Sequence, residues 1–192
     1  MAQDDEGVQQ GAVGQVCLTE HRGRTVVQKR FTDRFRQEVE ILALRHLADQ
    51  AFPVPEIVGV GAESIFMTLM PGERLDSGSA DLRLARLRAS TTWLRRLHET
   101  PPPGQLPPAP DDALIIRRYR DAGGPRLPLV IPQAGPPSFC HGDWTDGNLL
   151  AVGPDITGII DWEAAHLGDP LRELSRAAWG ASLKDVRSID AL

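Results

Sequence analysis

The most constraining feature of this chain is a short polar loop near its C-terminal end, His141-Gly142-Asp143-Trp144-Thr145-Asp146-Gly147-Asn148. An apolar stretch, Ile156-Thr157-Gly158-Ile159-Ile160, follows soon after and ends at a further carboxylate, Asp161. A short apolar run of this kind is typical of a strand. Any fold of this chain must therefore accommodate a polar loop that is followed closely by a strand ending in a carboxylate.

The spacing within this segment predicts a particular chemistry. His-x-Asp with an Asn five residues after the Asp is the spacing of a kinase catalytic loop, and a second Asp after the next strand stands where such enzymes place their main Mg²⁺ ligand. One carboxylate has to accept the proton of an attacking hydroxyl, while an amide and the other carboxylate hold the metal against nucleotide phosphates. We therefore predict Asp143 as the catalytic carboxylate and Asn148 and Asp161 as metal ligands. His141 is expected to brace the loop through hydrogen bonds.

The flanking residues resemble those of a known family. Phe139-Cys140-His141-Gly142-Asp143, then Gly158-Ile159-Ile160-Asp161-Trp162-Glu163, then Gly168-Asp169-Pro170 are similar to the aminoglycoside phosphotransferase and choline kinase family. These are small-molecule kinases built on the protein-kinase fold. The resemblance runs from about Gly11 to Trp179 and is strongest in the C-terminal third.

The resemblance implies an α+β, two-lobed, protein-kinase-like fold. An N-terminal nucleotide-binding lobe of residues 1–70 would contain an antiparallel sheet and one helix. A hinge at residues 71–75 would lead to a mainly helical C-terminal catalytic lobe of residues 76–192, including a proline-rich connector at residues 101–137. That lobe is short for the family, as in a minimal member or a truncated product.

The N-terminal segment is predicted to form a hairpin. Two strand-like runs, Val13 to Thr19 and Thr25 to Phe31, flank a turn at His21-Arg22-Gly23-Arg24. Gly11 and Gly14 fit the last part of a kinase Gly-rich loop, where backbone N–H groups come close to phosphate oxygens. A plain turn that opens a hairpin explains the same two glycines, so both interpretations stay open.

Lys29 lies on the second predicted strand, where a kinase has the lysine that grips the α- and β-phosphates. The next segment, Arg34 to Asp49, has helical periodicity and offers Glu38 and Glu40 as partners for this lysine. Glu38 has Phe35, Ile41 and Leu42 as neighbours on the helix, whereas Glu40 has two polar and two apolar neighbours. We therefore predict that Glu38 pairs with Lys29, and the family resemblance favours the same residue. An ordinary surface position for Glu38 is the alternative.

The function implied by the resemblance is Mg²⁺-dependent transfer of the γ-phosphate of ATP or GTP to a hydroxyl of a small molecule, such as an aminoglycoside, a sugar or an amino alcohol. Two other classes remain open. One is a nucleotide-binding pseudokinase or regulatory module without turnover. The other is a metal-dependent phosphohydrolase that uses His141, Asp143 and Asp161 as ligands, with His166 as a further candidate. Transition-metal sites usually recruit more than one histidine, and His141 is the single histidine within the polar loop.

Composition and charge limit the classes of partner and the cellular locations that fit this chain. The formal net charge of -5 argues against a nucleic-acid partner, because no basic stripe offsets it. No apolar run reaches membrane-spanning length, and the acidic N-terminus does not have the pattern of a signal peptide. The two cysteines, Cys17 and Cys140, give no disulfide framework. We therefore expect a cytoplasmic protein with no membrane partner; the oligomeric state stays open.

Overall fold

Five antiparallel strands form the first sheet of the computed structural model, which describes residues 9–10, 14–110, 117, 121, 123 and 135–182. The strands lie in the order β1-β2-β3-β5-β4. Their bounds are β1 (Gln9–Gln10), β2 (Gly14–His21), β3 (Arg24–Phe31), β4 (Ile57–Val60) and β5 (Ser64–Met67). Strand β3 is central and pairs with β2 on one side and with β5 on the other, so Lys29 lies in the middle of the sheet, opposite Val16 and Ile65.

The predicted hairpin is present as β2 and β3. Its two-residue turn, Arg22-Gly23, has positive φ at both positions, 52° and 74°. Two such residues match a type I′ turn, whose twist fits the twist of the flanking strands. Gly14 is the first residue of β2 and pairs with Phe31. Gly11 lies outside the described residues.

Helix α1 (Arg34–Asp49) follows β3 at once. The side chain of Asp33 caps its N-terminus by accepting a hydrogen bond from the backbone N–H of Phe35 at 2.9 Å. The buried residues on α1 recur at helical spacing, and they include both polar and apolar side chains: Gln37, Val39, Glu40, Ala43, Leu44 and Leu47. Phe35, an apolar neighbour of Glu38 on this helix, is 57% exposed.

After β5 the chain forms two smaller sheets and two further helices. The elements are β6 (Glu73–Arg74), α2 (Ala80–Glu99), β7 (Ser138–Cys140), β8 (Leu149–Val152), β9 (Asp155–Ile159), a 3₁₀ turn (Trp162–Ala164), β10 (His166–Gly168) and α3 (Pro170–Ser182). Strands β6, β8 and β9 form one antiparallel sheet, and β7 pairs with β10. Asp169 accepts a hydrogen bond from Leu171 N–H at 2.9 Å and so caps the N-terminus of α3, which begins at Pro170.

The polar loop and its supports lie where these elements meet. Strand β7 leads into the loop, β8 leaves it, and β9 runs antiparallel to β8 so that Leu149 faces Ile159. The segment before α2 is tied down by Arg86, a fully buried side chain that donates hydrogen bonds to Gly153 O at 2.7 Å and Ser77 O at 3.0 Å. The loop is thus held between two short sheets.

One continuous cluster of buried apolar side chains extends from the first sheet to α3. Its most enclosed members include Leu44, Ile65, Leu97, Phe139, Ile159 and Trp162. The predicted two-lobed, kinase-like α+β architecture is confirmed.

No helix in the described part of the chain is long and apolar enough to cross a bilayer. Most of the predicted proline-rich connector lies outside the described residues, but its beginning packs on β10 through the pair Ala109 N and Leu167 O at 2.7 Å.

Candidate active site

Lys29 is the centre of a buried charged cluster. Its Nζ lies 2.5 Å from Glu40 Oε2, 2.5 Å from Asp161 Oδ1 and 3.1 Å from Glu163 Oε2. Burial alone would lower the pKa of Lys29, but the charges of Glu40 and Asp161 outweigh that effect and raise it. Lys29 therefore stays protonated, and its ammonium joins β3, α1 and the turn after β9.

The prediction that Glu38 pairs with Lys29 is wrong, and Glu40 takes this place. Glu38 lies on the exposed side of α1, where its side chain is 60% exposed and bonds Arg34. Glu40 shares the inward face with Ala43, Leu44 and Leu47, so its carboxylate reaches the lysine. Apolar residues occupy both faces of α1. The number of apolar neighbours of a glutamate on this helix therefore does not show whether that glutamate faces the core.

Burial has a strong effect on Glu40. It raises the pKa of the carboxyl to about 7, although Lys29 acts in the opposite direction. Glu163 is also largely buried, and its second oxygen, Oε1, accepts a hydrogen bond from Arg36 Nη1 at 3.0 Å. Three carboxylates thus surround one lysine, with Arg36 as a further cation at the edge.

The polar loop owes its shape to Gly142. This residue has φ +85°, and a Cβ at this position would lie 2.1 Å from the carbonyl oxygen of Ala164. Only glycine combines that conformation with such close approach. The contact packs the loop directly against the 3₁₀ turn that follows Asp161, so these two segments share one backbone interface.

His141 braces this interface, as expected. Its Nδ1 accepts a hydrogen bond from Asp143 N–H at 3.1 Å, and its Nε2 donates to Ile160 O at 3.0 Å. Burial lowers the pKa of His141, which keeps the ring neutral with the proton on Nε2. Both ring nitrogens are therefore used by backbone groups. This argues against the phosphohydrolase alternative, which requires His141 as a metal ligand.

Asp143 and Asn148 bind each other across the loop. Asn148 Nδ2 donates to Asp143 O and to Asp143 Oδ2, both at 3.0 Å. With its amide N–H groups directed at Asp143, Asn148 presents Oδ1 as the atom that can bind a cation. The other carboxylate oxygen of Asp143, Oδ1, accepts a hydrogen bond from Arg176 Nη2 at 2.7 Å.

Asp161 is brought beside this pair by the β8–β9 sheet. Ile160 N–H donates to Asn148 O at 3.0 Å, so the residue before Asp161 is bonded directly to Asn148. Asp161 has a left-handed backbone, with φ 68° and ψ 59°, and a side chain that is 40% exposed. The two predicted metal ligands therefore occupy adjacent segments, and Lys29 contacts one of them.

Gly14, predicted to lie in a phosphate-binding loop, is the first residue of β2. This strand is the neighbour of β3, which carries Lys29.

Glu173 supports the loop from α3, a role that the sequence did not indicate. Its Oε1 accepts from Gly142 N–H at 2.7 Å, and its Oε2 bonds His98 Nε2 at 2.8 Å. Burial alone would raise the pKa of Glu173, but these hydrogen bonds and the nearby His141 lower it. Cys140 lies beside the pair, and burial raises the pKa of its thiol to about 12, so it stays protonated.

Solved structures share this fold. The type VIII aminoglycoside-3'-phosphotransferase matches at a TM-score of 0.69 and 19% identity, and the match covers 97% of this chain and 82% of that one. A choline/ethanolamine kinase family protein from Mesorhizobium loti gives 0.66 and 16%, covering 96% and 67%. The streptomycin-ATP-APH(2")-IIa ternary complex gives 0.62 and 18%, covering 84% and 67%. No curated protein matches.

These likenesses show that the chain has the fold of aminoglycoside phosphotransferases and of a choline/ethanolamine kinase family protein. The sequence itself matches the Phosphotransferase enzyme family over residues 7–190. The chain belongs to that family, and it is a small-molecule kinase.

Proposed function

We propose that this kinase transfers the γ-phosphate of ATP, with Mg²⁺, to a hydroxyl group of a small molecule. One observation carries the proposal: the backbone hydrogen bond from Ile160 N–H to Asn148 O joins two polar groups. One group is the Asp143–Asn148 pair, and the other is Asp161 with Lys29. This arrangement supports the proposal that Asp143 accepts the proton, that Asn148 and Asp161 supply oxygen ligands for a hard cation, and that Lys29 binds phosphate.

The residues present fit a magnesium ion. Asn148 Oδ1 and a carboxylate oxygen of Asp161 are ligands of the kind that Mg²⁺ prefers. Asp161 is also the more exposed of the groups that contact Lys29, which leaves its carboxylate accessible to an incoming cation. When bound, the ion would neutralise charge on the phosphates during transfer.

The chain's own residues supply the remaining steps. Lys29 holds phosphate oxygens, and Glu40 keeps Lys29 oriented from the buried side. The acceptor hydroxyl approaches Asp143, which takes the proton as the oxygen attacks the γ-phosphorus and the bond to the leaving ADP oxygen breaks. Glycines at 11 and 14 are proposed to let backbone N–H groups approach the phosphates. A hinge at residues 71–75 would join the two lobes.

ATP is proposed as donor partly because one structural neighbour is a complex with ATP and streptomycin. The acceptor classes to test are aminoglycosides, as in the streptomycin complex, amino alcohols, after the name of the choline/ethanolamine kinase family protein, and the sugars that the family resemblance implies. Reduced cysteines at Cys17 and Cys140 fit the proposed cytoplasmic location.

Thermal unfolding with and without Mg²⁺ plus ATP or GTP tests the site first. A ligand that binds only the folded state stabilises it by about 2.7 kcal/mol at a hundredfold excess over Kd. We expect a Mg²⁺-dependent rise in Tm for the native chain and for Asp155→Asn, a matched control at the exposed start of β9. Asp161→Asn should lose the rise, and a rise retained in Asp161→Asn would refute the assigned metal ligand.

Phosphoryl transfer is then measured with streptomycin, choline and glucose as acceptors. Product formation that Asp143→Asn abolishes, with the Mg²⁺·ATP-dependent rise in Tm preserved, would support the assigned base. Nucleotide binding without transfer to any of the three acceptors, or to water, would favour a nucleotide-binding module instead.

A further inference from the structure

Two side chains of helix α3 bond the backbone of Gly142, one at its N–H and the other at its C=O. Glu173 and Arg176 lie one turn apart on the same face of the helix. Glu173 accepts the Gly142 N–H, while Arg176 Nη1 donates to Gly142 O at 2.9 Å. The same guanidinium reaches Asp143 Oδ1 through Nη2 at 2.7 Å. Arg176 therefore contacts the backbone and the reactive side chain of the loop at the same time.

The contact completes the fixation of Asp143. Asn148 donates to Oδ2 and Arg176 donates to Oδ1, so each carboxylate oxygen has one donor. A carboxylate oxygen has two lone-pair sites, and each one therefore keeps a site for a hydroxyl proton. The two donors restrict rotation of the carboxylate without using up its capacity to accept a proton.

Stability does not explain this pair. The Arg176 side chain is 60% exposed and that of Asp143 is 35% exposed. Exposed ion pairs contribute little to folding, because solvent screens them and ordering the side chains costs entropy. A forked guanidinium that holds two oxygens of one loop, however, gives strong geometric definition.

Building on the proposed function, we propose that Arg176 is a positioning residue that holds the Asp143 carboxylate in the orientation needed to receive the acceptor proton. It acts through Asp143, the residue proposed to serve the acceptor hydroxyl, and its bonds go to Gly142 O and Asp143 Oδ1. Its loss should therefore reduce kcat and leave the KM for ATP nearly unchanged.

The test compares Arg176→Gln, Arg176→Lys and the control Arg172→Gln. Arg172 lies one turn earlier on α3, and its Nη1 donates to Pro110 O at 3.4 Å. Mg²⁺·ATP hydrolysis is measured with water as acceptor. We expect Arg176→Gln to lower kcat about tenfold to a hundredfold, because a small misplacement of a catalytic group carries such a cost. Arg176→Lys should recover part of this loss, since an ammonium restores charge but not the fork.

Two kinetic outcomes would overturn the proposal. A kcat of Arg176→Gln within about twofold of the native value would show that the contact is dispensable, since proton transfer by a well-placed group contributes far more than that. A rise in kcat would identify the pair as an inhibitory contact that competes with the acceptor. Tm should stay within about 2 °C for all three variants, because neither Arg172 nor Arg176 is a buried residue.

Hydrogen exchange of the loop separates this proposal from the proposed function. In Arg176→Gln, backbone amides of residues 138–150 should exchange faster than in the native chain, and in Arg172→Gln they should not. Absence of any turnover in the native chain would refute the proposed function, and the exchange data would then decide whether Arg176 holds the loop in place. Unchanged exchange in Arg176→Gln would overturn the positioning role of Arg176, whatever the activity.

Discussion

Lys29 Nζ lies 2.5 Å from Glu40 Oε2, and this buried ion pair ties the central strand of the first sheet to helix α1. Both side chains are almost completely enclosed. Breaking such a pair from one side leaves the other charge in a poorly solvated position. The same ammonium contacts Asp161 and Glu163, so the pair also fixes the position of the turn after β9.

Glu40→Ala should therefore destabilise the fold, whereas Glu38→Ala should not. We expect a loss of about 2 kcal/mol for Glu40→Ala, less than for an isolated buried pair because two other carboxylates remain at Lys29. Glu38→Ala should stay within about 0.5 kcal/mol, as its exposed pair with Arg34 contributes little. Urea unfolding of both variants measures this difference. Equal losses would contradict the assignment of Glu40.

The left-handed backbone of Asp161 separates two effects of its substitution. Asn tolerates this conformation well and Ala does not. Asp161→Asn and Asp161→Ala should both lose the Tm rise with Mg²⁺·ATP, but only Asp161→Ala should carry an extra cost of about 1 kcal/mol in the unbound protein. Unfolding in the absence of nucleotide measures this cost, and identical stabilities would mean that the turn relaxes without strain.

Gly142→Ala should damage the loop severely. A Cβ would overlap the Ala164 carbonyl at 2.1 Å, and the positive φ adds strain. We expect a loss of at least about 3 kcal/mol or a displaced loop without transfer activity. Gly104→Ala is the control, because a Cβ at position 104 meets no atom within 4 Å. Equal unfolding midpoints for the two variants would show that the loop moves freely away from the 3₁₀ turn.

The sequence predicted local features well. The β2–β3 hairpin and the bracing of the polar loop by His141 both depend on residues close together in the chain. The kinase-like fold could be predicted because the His-Gly-Asp loop, Asn148 and Asp161 lie within one short segment. Their spacing is therefore visible without knowledge of tertiary contacts.

Contacts made across the fold could not be predicted in the same way. The choice between Glu38 and Glu40 depends on which apolar face of α1 meets the sheet, and the two faces differ too little in composition to decide it. Glu173 reaches Gly142 only because α3 packs against the loop, and no local pattern shows that contact. The Asp161-x-Glu163 spacing was a usable signal, since both side chains meet Lys29.

His141 and Glu40 should give the protein opposite responses to pH. Burial lowers the pKa of His141 below its ordinary value of 6.5, so below that pH the unfolded chain binds a proton that the folded chain refuses. Its contribution to the free energy of unfolding therefore falls as the pH falls. The pKa of Glu40 is raised from 4.5 to about 7, so between these values the folded chain holds a proton that the unfolded chain releases. Its contribution rises as the pH falls.

Comparison of variants separates the two contributions, which partly cancel in the native chain. From pH 7 to pH 5, the stability difference between the native chain and His141→Gln should shrink, because the native chain alone loses the histidine contribution. The difference between the native chain and Glu40→Gln should change in the opposite direction over the same range. Each slope can reach about 1.4 kcal/mol per pH unit, the limit for one proton. Urea unfolding at several pH values measures both slopes, and slopes of the same sign would show that one of the two buried groups titrates differently from this account.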